Sequence, residues 1–317
     1  MVRYGECRNV LVEYRPAAGL EKNPPVERER RCKMISVEHL ELRAKIVRSV
    51  REFFDMRGFV EVDTPVRIPA PAPEPHIDCP PAPPWFLRAS PELQMKKLLC
   101  RGMRKIYQIG PCFREGEIGK RHQSEFSMLE WYRADSDYRE ILSDAESLVG
   151  GILGHTVPFR RITVRDAYRD LAGWDPFEEF DQDRFDFDMA EKIEPGLPKE
   201  PLFLIDYPPA AASLSKLRKG DGTPDVAERF ELYVDGIELA NAFTELTDPA
   251  EQRARFEAAR SERRTLGEAD YPLDEEFLSM LGSMPPSGGI ALGIDRLVML
   301  AARASSIGEV MAFSSAV

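Results

Sequence analysis

Nothing in this sequence reads as a membrane span, a leader or a metal knuckle. No run of about 18 apolar residues occurs, and the first residues, Met-Val-Arg-Tyr-Gly-Glu, lack the apolar core of a signal peptide. The five cysteines, Cys7, Cys32, Cys79, Cys100 and Cys112, are odd in number and include no Cys-x-x-Cys pair. That argues against a disulfide framework or a zinc site, and predicts buried reduced thiols in a cytoplasmic protein. Basic residues are also short, 43 against 54 acidic, for a net charge of −11. A broad nucleic-acid footprint needs the opposite sign, so only a local basic patch stays open. Internal repeats are absent too.

What is present is globular. The chain has 317 residues, 43% hydrophobic and 31% charged, which suits one large domain with a substantial core. Residues 1–35 are charged, contain Asn23-Pro24-Pro25 and show weak periodicity, so they read as an N-terminal extension to a domain spanning 36–317. Val37–Met56 has helical apolar spacing with Ser36 as its cap, Gly58 ends it, and Phe59–Pro65 reads as a strand closed by proline. Eight prolines in Pro69–Pro84 predict a stiff surface connector. Ser90-Pro91-Glu92 opens a helix through Leu99, with Ser90 as cap. Strands are expected at Lys105–Ile109, Phe126–Tyr132, Leu202–Tyr207, Arg229–Val234 and Gly289–Gly293. Helices are expected at Tyr138–Leu153, Arg165–Leu171, Pro249–Leu266, Asp274–Leu281 and Arg296–Leu300. Hairpin-linked strands with helices in separate runs indicate an α+β fold around an antiparallel β-sheet flanked by helices.

Chemistry concentrates in Pro111–Arg133. It reads as strand, charged loop, strand. On the second strand Phe126, Met128, Glu130 and Tyr132 share one face, and Ser127, Leu129, Trp131 and Arg133 the other. One face thus joins a carboxylate and a phenol to apolar neighbours, a floor for a small cation. Arg114 closes the first strand, where a guanidinium holds phosphate or carboxylate bidentately. By itself the same pattern also fits an exposed hairpin with a solvated charged tip.

Three segments together narrow the choice. Phe59–Pro65, then Phe113-Arg114 with Arg121-His122-Gln123-Ser124-Glu125-Phe126 through Glu130-Trp131-Tyr132, then Gly289–Leu300 resemble, in order, the three motifs of the class II aminoacyl-tRNA synthetases. The likeness is to the lysyl branch. Within it, the chain resembles the truncated paralogs that attach β-lysine to elongation factor P. Only residues 1–35 precede the first core helix, whereas an anticodon-binding barrel takes on the order of 100. Ala291 also stands where lysyl-tRNA synthetases have glycine. Its methyl would crowd an α-amine and suit a β-amine, a discrimination of roughly 1–3 kcal/mol.

The resemblance carries roles onto individual residues. It implies that Ser90, Pro91, Glu92, Tyr132, Glu245 and Ala291 bind the amino acid. It likewise implies that Arg114, Glu115, Gly116, Gln123, Glu238, Leu239, Gly293 and Arg296 bind ATP. Arg114 and Arg296 would stabilise charge during the reaction. Glu238 and Glu245, two carboxylates seven apart, are the candidate Mg²⁺ ligands. One departure is plain: the family pattern Phe-Arg-Asn-Glu is here Phe113-Arg114-Glu115-Gly116, so the adenine-reading carboxylate is missing. Either Glu115 or Glu117 replaces it through a shifted loop, or nucleotide affinity falls. Gln123 also replaces an asparagine.

The reading implied is an AMP-forming ligase that activates β-lysine or lysine with ATP and Mg²⁺ and transfers it to a lysine of elongation factor P. A homodimer is expected through the motif around Pro65, with no strong tRNA binding and no membrane. Two rivals stay open: an enzyme that charges tRNA, and a catalytically reduced ATP- and amino-acid-binding regulatory protein.

Overall fold

The computed structural model describes residues 36–75, 77–222 and 224–314. The predicted N-terminal extension, with Cys7 and Cys32, therefore lies outside the described residues. Among the described residues twelve strands occur in chain order: β1 (Val60–Glu61), β2 (Arg67–Ile68), β3 (Pro81–Ala82), β4 (Trp85–Leu87), β5 (Lys105–Phe113) and β6 (Glu125–Ala134) precede β7 (Arg160–Thr163), β8 (Leu202–Tyr207), β9 (Leu217–Arg218), β10 (Val226–Val234), β11 (Ile237–Thr244) and β12 (Ser287–Gly293). The main sheet runs β1-β5-β6-β12-β11-β10-β8-β7, with β9 on the side of β10, and β2-β4-β3 form a small separate sheet.

The centre of this sheet is antiparallel, as expected of the α+β class. Its two edge pairs, β1 with β5 and β7 with β8, are parallel. The expected strand Phe59–Pro65 shortens to Val60–Glu61 because it pairs with only two residues of β5 and proline then cuts the ladder. β5 and β6 form the predicted hairpin, registered from Lys105 opposite Arg133 to Phe113 opposite Glu125. Ser36 caps the first helix, its Oγ accepting from the His39 amide at 3.2 Å. The helix expected at Arg165–Leu171 starts at Val164 and widens into a π-helical turn over Tyr168–Ala172.

Six strands escaped the sequence reading, β2, β3, β4, β7, β9 and β11, and the longest of them, β11, shapes the site. β10 and β11 are joined by Asp235-Gly236, both at positive φ (53° and 68°). That is the residue pair and the backbone of a two-residue hairpin turn. Leu239 is an extra residue on β11, since Tyr233 pairs with Glu238 and Leu232 with Ala240. This bulge reverses the strand's alternation, so Glu238 shares a face with Asn241 and Phe243.

The alternation on β6 decides which face is core. Leu129 and Trp131 face helices Val37–Asp55, Tyr138–Leu153 and Ile294–Ala302, and Trp131 is fully buried against Phe54 at 5.2 Å between ring centres. Cys79 and Cys112 are buried thiols, pushed by burial up to about 11 and about 12. No helix among the described residues is long and apolar enough to cross a membrane.

Trp131→Ala should lower stability by about 3–5 kcal/mol, because the packed helices cannot collapse into the space vacated. Urea unfolding monitored by circular dichroism checks this; a loss under about 1 kcal/mol would mean that the sheet–helix layer repacks.

Candidate functional site

The opposite face of the sheet floors a cavity of about 330 Å³. Its floor follows from register. Glu130, Ala291, Asn241 and Glu231 lie side by side across β6, β12, β11 and β10, and Tyr132, Gly289, Phe243 and Arg229 form the next row. Gly289 is obligatory: a Cβ there would lie 2.3 Å from both the Glu245 carboxylate and the Tyr132 ring. The absent side chain lets Tyr132 and Glu245 approach each other over the sheet.

At one end the cavity is acidic. Ser90 does not cap the helix Glu92–Cys100, whose cap position is Pro91 with no side-chain bond. Its hydroxyl instead accepts from the Glu92 amide at 3.0 Å and donates to Glu130 Oε2 at 2.8 Å. The Tyr132 hydroxyl donates to Glu130 Oε1 at 2.5 Å. Lys96, which sequence reasoning overlooked, is fully buried and contacts both Glu92 Oε1 and Glu245 Oε2. Its place one helical turn after Glu92 was the available signal. Burial opposes the Lys96 charge, but Glu245 and Glu92 outweigh it and hold its pKa above the ordinary 10.5. One ammonium cannot satisfy three carboxyls. Burial, with Glu92 next, pushes Glu130 up to about 7, and burial pushes Glu245 to about 8. An arriving cation has a receptor of opposite sign.

The other end is arginine-rich. The Arg114 amide donates to the Ser124 carbonyl at 3.0 Å, and its guanidinium lies 5.3 Å from the Phe126 ring centre and 3.5 Å from Glu117. Arg296 donates to the Glu238 carbonyl at 2.6 Å and to its carboxylate at 3.2 Å, while its other nitrogen meets His122 Nε2 at 2.6 Å. Burial and the Arg296 charge lower the His122 pKa, which leaves an uncharged ring to accept that bond. Gln123, Leu239 and Gly293 also line the cavity.

The structure therefore gathers Ser90, Glu92, Arg114, Gln123, Tyr132, Glu238, Leu239, Glu245, Ala291, Gly293 and Arg296 around one cavity. Four expectations need correction. Pro91 is buried behind the wall, and Glu115 and Gly116 are exposed away from it; Glu117 lines it instead. The tight turn at Gly116, φ 78°, turns Glu115 outward and Glu117 inward. Glu238 and Glu245 cannot share one ion, because seven extended residues separate them by roughly 20 Å and Glu245 is committed to Lys96. Among the described residues no group of three or more His, Cys, Asp or Glu is placed to hold a metal. The Pro69–Pro84 segment is not a mere connector, since Glu74 and Ile77 form part of the cavity wall.

The acidic end dictates a pH signature. Glu130 holds a proton in the fold up to about 7 that the unfolded chain releases near 4.5. Its contribution is thus full below about 4.5 and is lost as pH rises through 7. Relative to Glu130→Gln, whose amide stays uncharged, the native protein should lose stability between pH 5 and 8. Urea midpoints measured across that range check this, and parallel curves would contradict it.

The family model of tRNA synthetases class II (D, K and N) matches residues 30–316. Lysine–tRNA ligase of Moorella thermoacetica is 37% identical over 314 residues, 86% of this chain and 64% of that protein. The chain thus spans under two thirds of the length of that relative. Elongation factor P–(R)-β-lysine ligases of Hamiltonella defensa and Vibrio cholerae are each 36% identical, over 87% and 88% of this chain and 95% of theirs. This chain belongs to the class II tRNA synthetase family.

Proposed function

We propose that this protein is an ATP-dependent, AMP-forming ligase that activates a lysine-type amino acid and passes it to an amine of a protein, elongation factor P. The observation carrying the reading is the polarity of the cavity. Carboxylates of Glu92, Glu130 and Glu245 stand at one end, and guanidiniums of Arg114 and Arg296 at the other. An amino acid with a cationic side chain lies along that axis with its carboxylate toward the arginines. There its oxygen attacks the ATP α-phosphorus, the bond to pyrophosphate breaks, and a mixed anhydride forms. A lysine ε-amine then attacks the acyl carbon, AMP leaves with the bonding pair, and the amine loses a proton. Positioning and charge stabilisation suffice, with no covalent enzyme intermediate.

Arg114 would hold the reacting phosphate and carboxylate, Arg296 and Gln123 the nucleotide, and Tyr132, Glu92 and Glu245 the amino acid. Glu238 lines the cavity and fits Mg²⁺, which needs only one or two protein carboxylates beside phosphate oxygens; the bound ion would neutralise phosphate charge. Ala291 favours a β-amine. Residues 36–317 would form the catalytic domain, working in the cytoplasm as a homodimer paired through the edge near β1. The choice of acceptor is supported by the two relatives that carry that name and are matched over 95% of their length.

Pyrophosphate exchange with (R)-β-lysine and with α-lysine tests the first step; no exchange with either would sink the proposal. Arg114→Ala should lower the rate about 10²–10³-fold. Adding purified elongation factor P or lysine tRNA then separates the two acceptors: faster labelling of the tRNA would favour tRNA charging.

The nucleotide loop gives a second expectation. Glu117→Ala should weaken ATP binding, seen calorimetrically. Gly116→Glu should not strengthen it, because a side chain at φ 78° costs about 1–2 kcal/mol and the position faces away from the cavity.

A further inference from the structure

The proline-rich loop is fastened into the cavity wall by hydrogen bonds with buried side chains. Arg263, fully buried in helix Pro249–Leu266, donates to the carbonyls of Glu74 at 2.8 Å and Ile77 at 3.0 Å, and to the Asp78 carboxylate at 2.5 Å. The Cys79 amide donates to the Tyr271 hydroxyl at 2.8 Å, and the Glu115 amide to the Asp78 carbonyl at 2.8 Å. The loop is thus tied both to that helix and to the chain that carries Arg114. Prolines 71, 73 and 75 restrict the backbone around Glu74 further. A side chain borne on such a loop is held in place before any ligand arrives.

Charge pairing around the cavity singles out Glu74. Glu92 and Glu245 share Lys96, Glu117 has Arg114, and Glu231 has Arg229 at 2.7 Å. Glu238 has Arg296, and Asp295 has Arg43. Among the described residues Glu130 has two hydroxyl donors and no cation within 4 Å. Among the described residues the Glu74 carboxylate has neither a hydrogen-bond donor nor an ion-pair partner, although it lines the cavity beside Glu92. Two carboxylates therefore await a cation, and a lysine-type substrate brings two ammonium groups.

We infer that Glu74 is a specificity residue whose carboxylate receives the second ammonium of a diamino acid, the one near the reacting carboxylate, while Glu130 and its neighbours receive the other. This rests on the ligase reading above. The surrounding charges agree with it. Burial, then Glu92, pushes the Glu74 pKa above 4.5, as befits a carboxylate with no cation of its own, and Arg114, Arg229 and Lys96 oppose that shift from beyond contact distance. A mono-amine of the same length, 6-aminohexanoate, leaves Glu74 unpaired and should be discriminated against by its side chain.

The test compares pyrophosphate exchange with (R)-β-lysine, α-lysine and 6-aminohexanoate, the last as substrate or competitive inhibitor, in the native protein, Glu74→Gln and Glu74→Asp. In Glu74→Gln the preference for the diamino acids over 6-aminohexanoate should fall about 10- to 100-fold, the worth of a hydrogen bond to a charged group. Glu74→Asp should keep more of that preference. An unchanged preference, with all three ligands retained or weakened equally, would overturn the inference and reduce Glu74 to a part of the loop. Native protein inactive with every lysine isomer would instead overturn the ligase reading, and this inference with it.

Discussion

A single buried ammonium, that of Lys96, makes the acidic end of the cavity tenable. Glu92, Glu130 and Glu245 converge on one small volume of the sheet face, and like charges so placed would repel and shed their ionisation. Lys96 lies between Glu92 and Glu245 and supplies the opposite charge from the helix that follows Ser90. Removing one member of such a buried group costs about 3–5 kcal/mol, since the partners are left uncompensated. The arrangement is also incomplete by design. One cation among three carboxyls leaves residual negative potential and raised pKa values at Glu130 and Glu245. A cationic ligand relieves both.

Two backbone features align the rest of the floor with that cluster. The missing side chain at Gly289 lets Tyr132 and Glu245 meet above β12. The extra residue at Leu239 puts Glu238 on the same face as Asn241 and Phe243, so the strand carries its functional groups to both ends of the cavity. Without the bulge, simple alternation would send Glu238 into the core. Arg296 then closes the far end by bridging Glu238 and an uncharged His122. Charge and chain geometry thus divide the cavity into a cation end and an anion end.

Much of the architecture was legible from local pattern. Helices Tyr138–Leu153 and Pro249–Leu266 and strand Leu202–Tyr207 begin and end where apolar spacing, caps and proline place them. β11 lacks a simple alternation because the extra residue at Leu239 interrupts it. Its turn pair Asp235-Gly236 was nevertheless a sufficient signal. The expectation for Ser90 failed for a different reason. Pro91 takes the cap position, and Ser90, while accepting from the Glu92 amide, donates its hydroxyl to Glu130 forty residues away, a contact that local pattern does not show. Sequence spacing also joined Glu238 and Glu245 as one metal pair, when an extended strand keeps them far apart.

The sequence by itself determined the order of the three motifs, the alternation on β6 that separates Trp131 from Tyr132, and the arginines that meet an anion. These follow from side-chain periodicity and local backbone preference, which act over a few residues. Only the tertiary structure decided which charges are paired. That Lys96 serves Glu92 and Glu245, that Glu117 and not Glu115 faces inward, and that a proline-rich loop brings Glu74 to the cavity depend on contacts between distant segments. The physical reason is that burial and ion pairing are set by what packs alongside, which residue type and spacing do not encode.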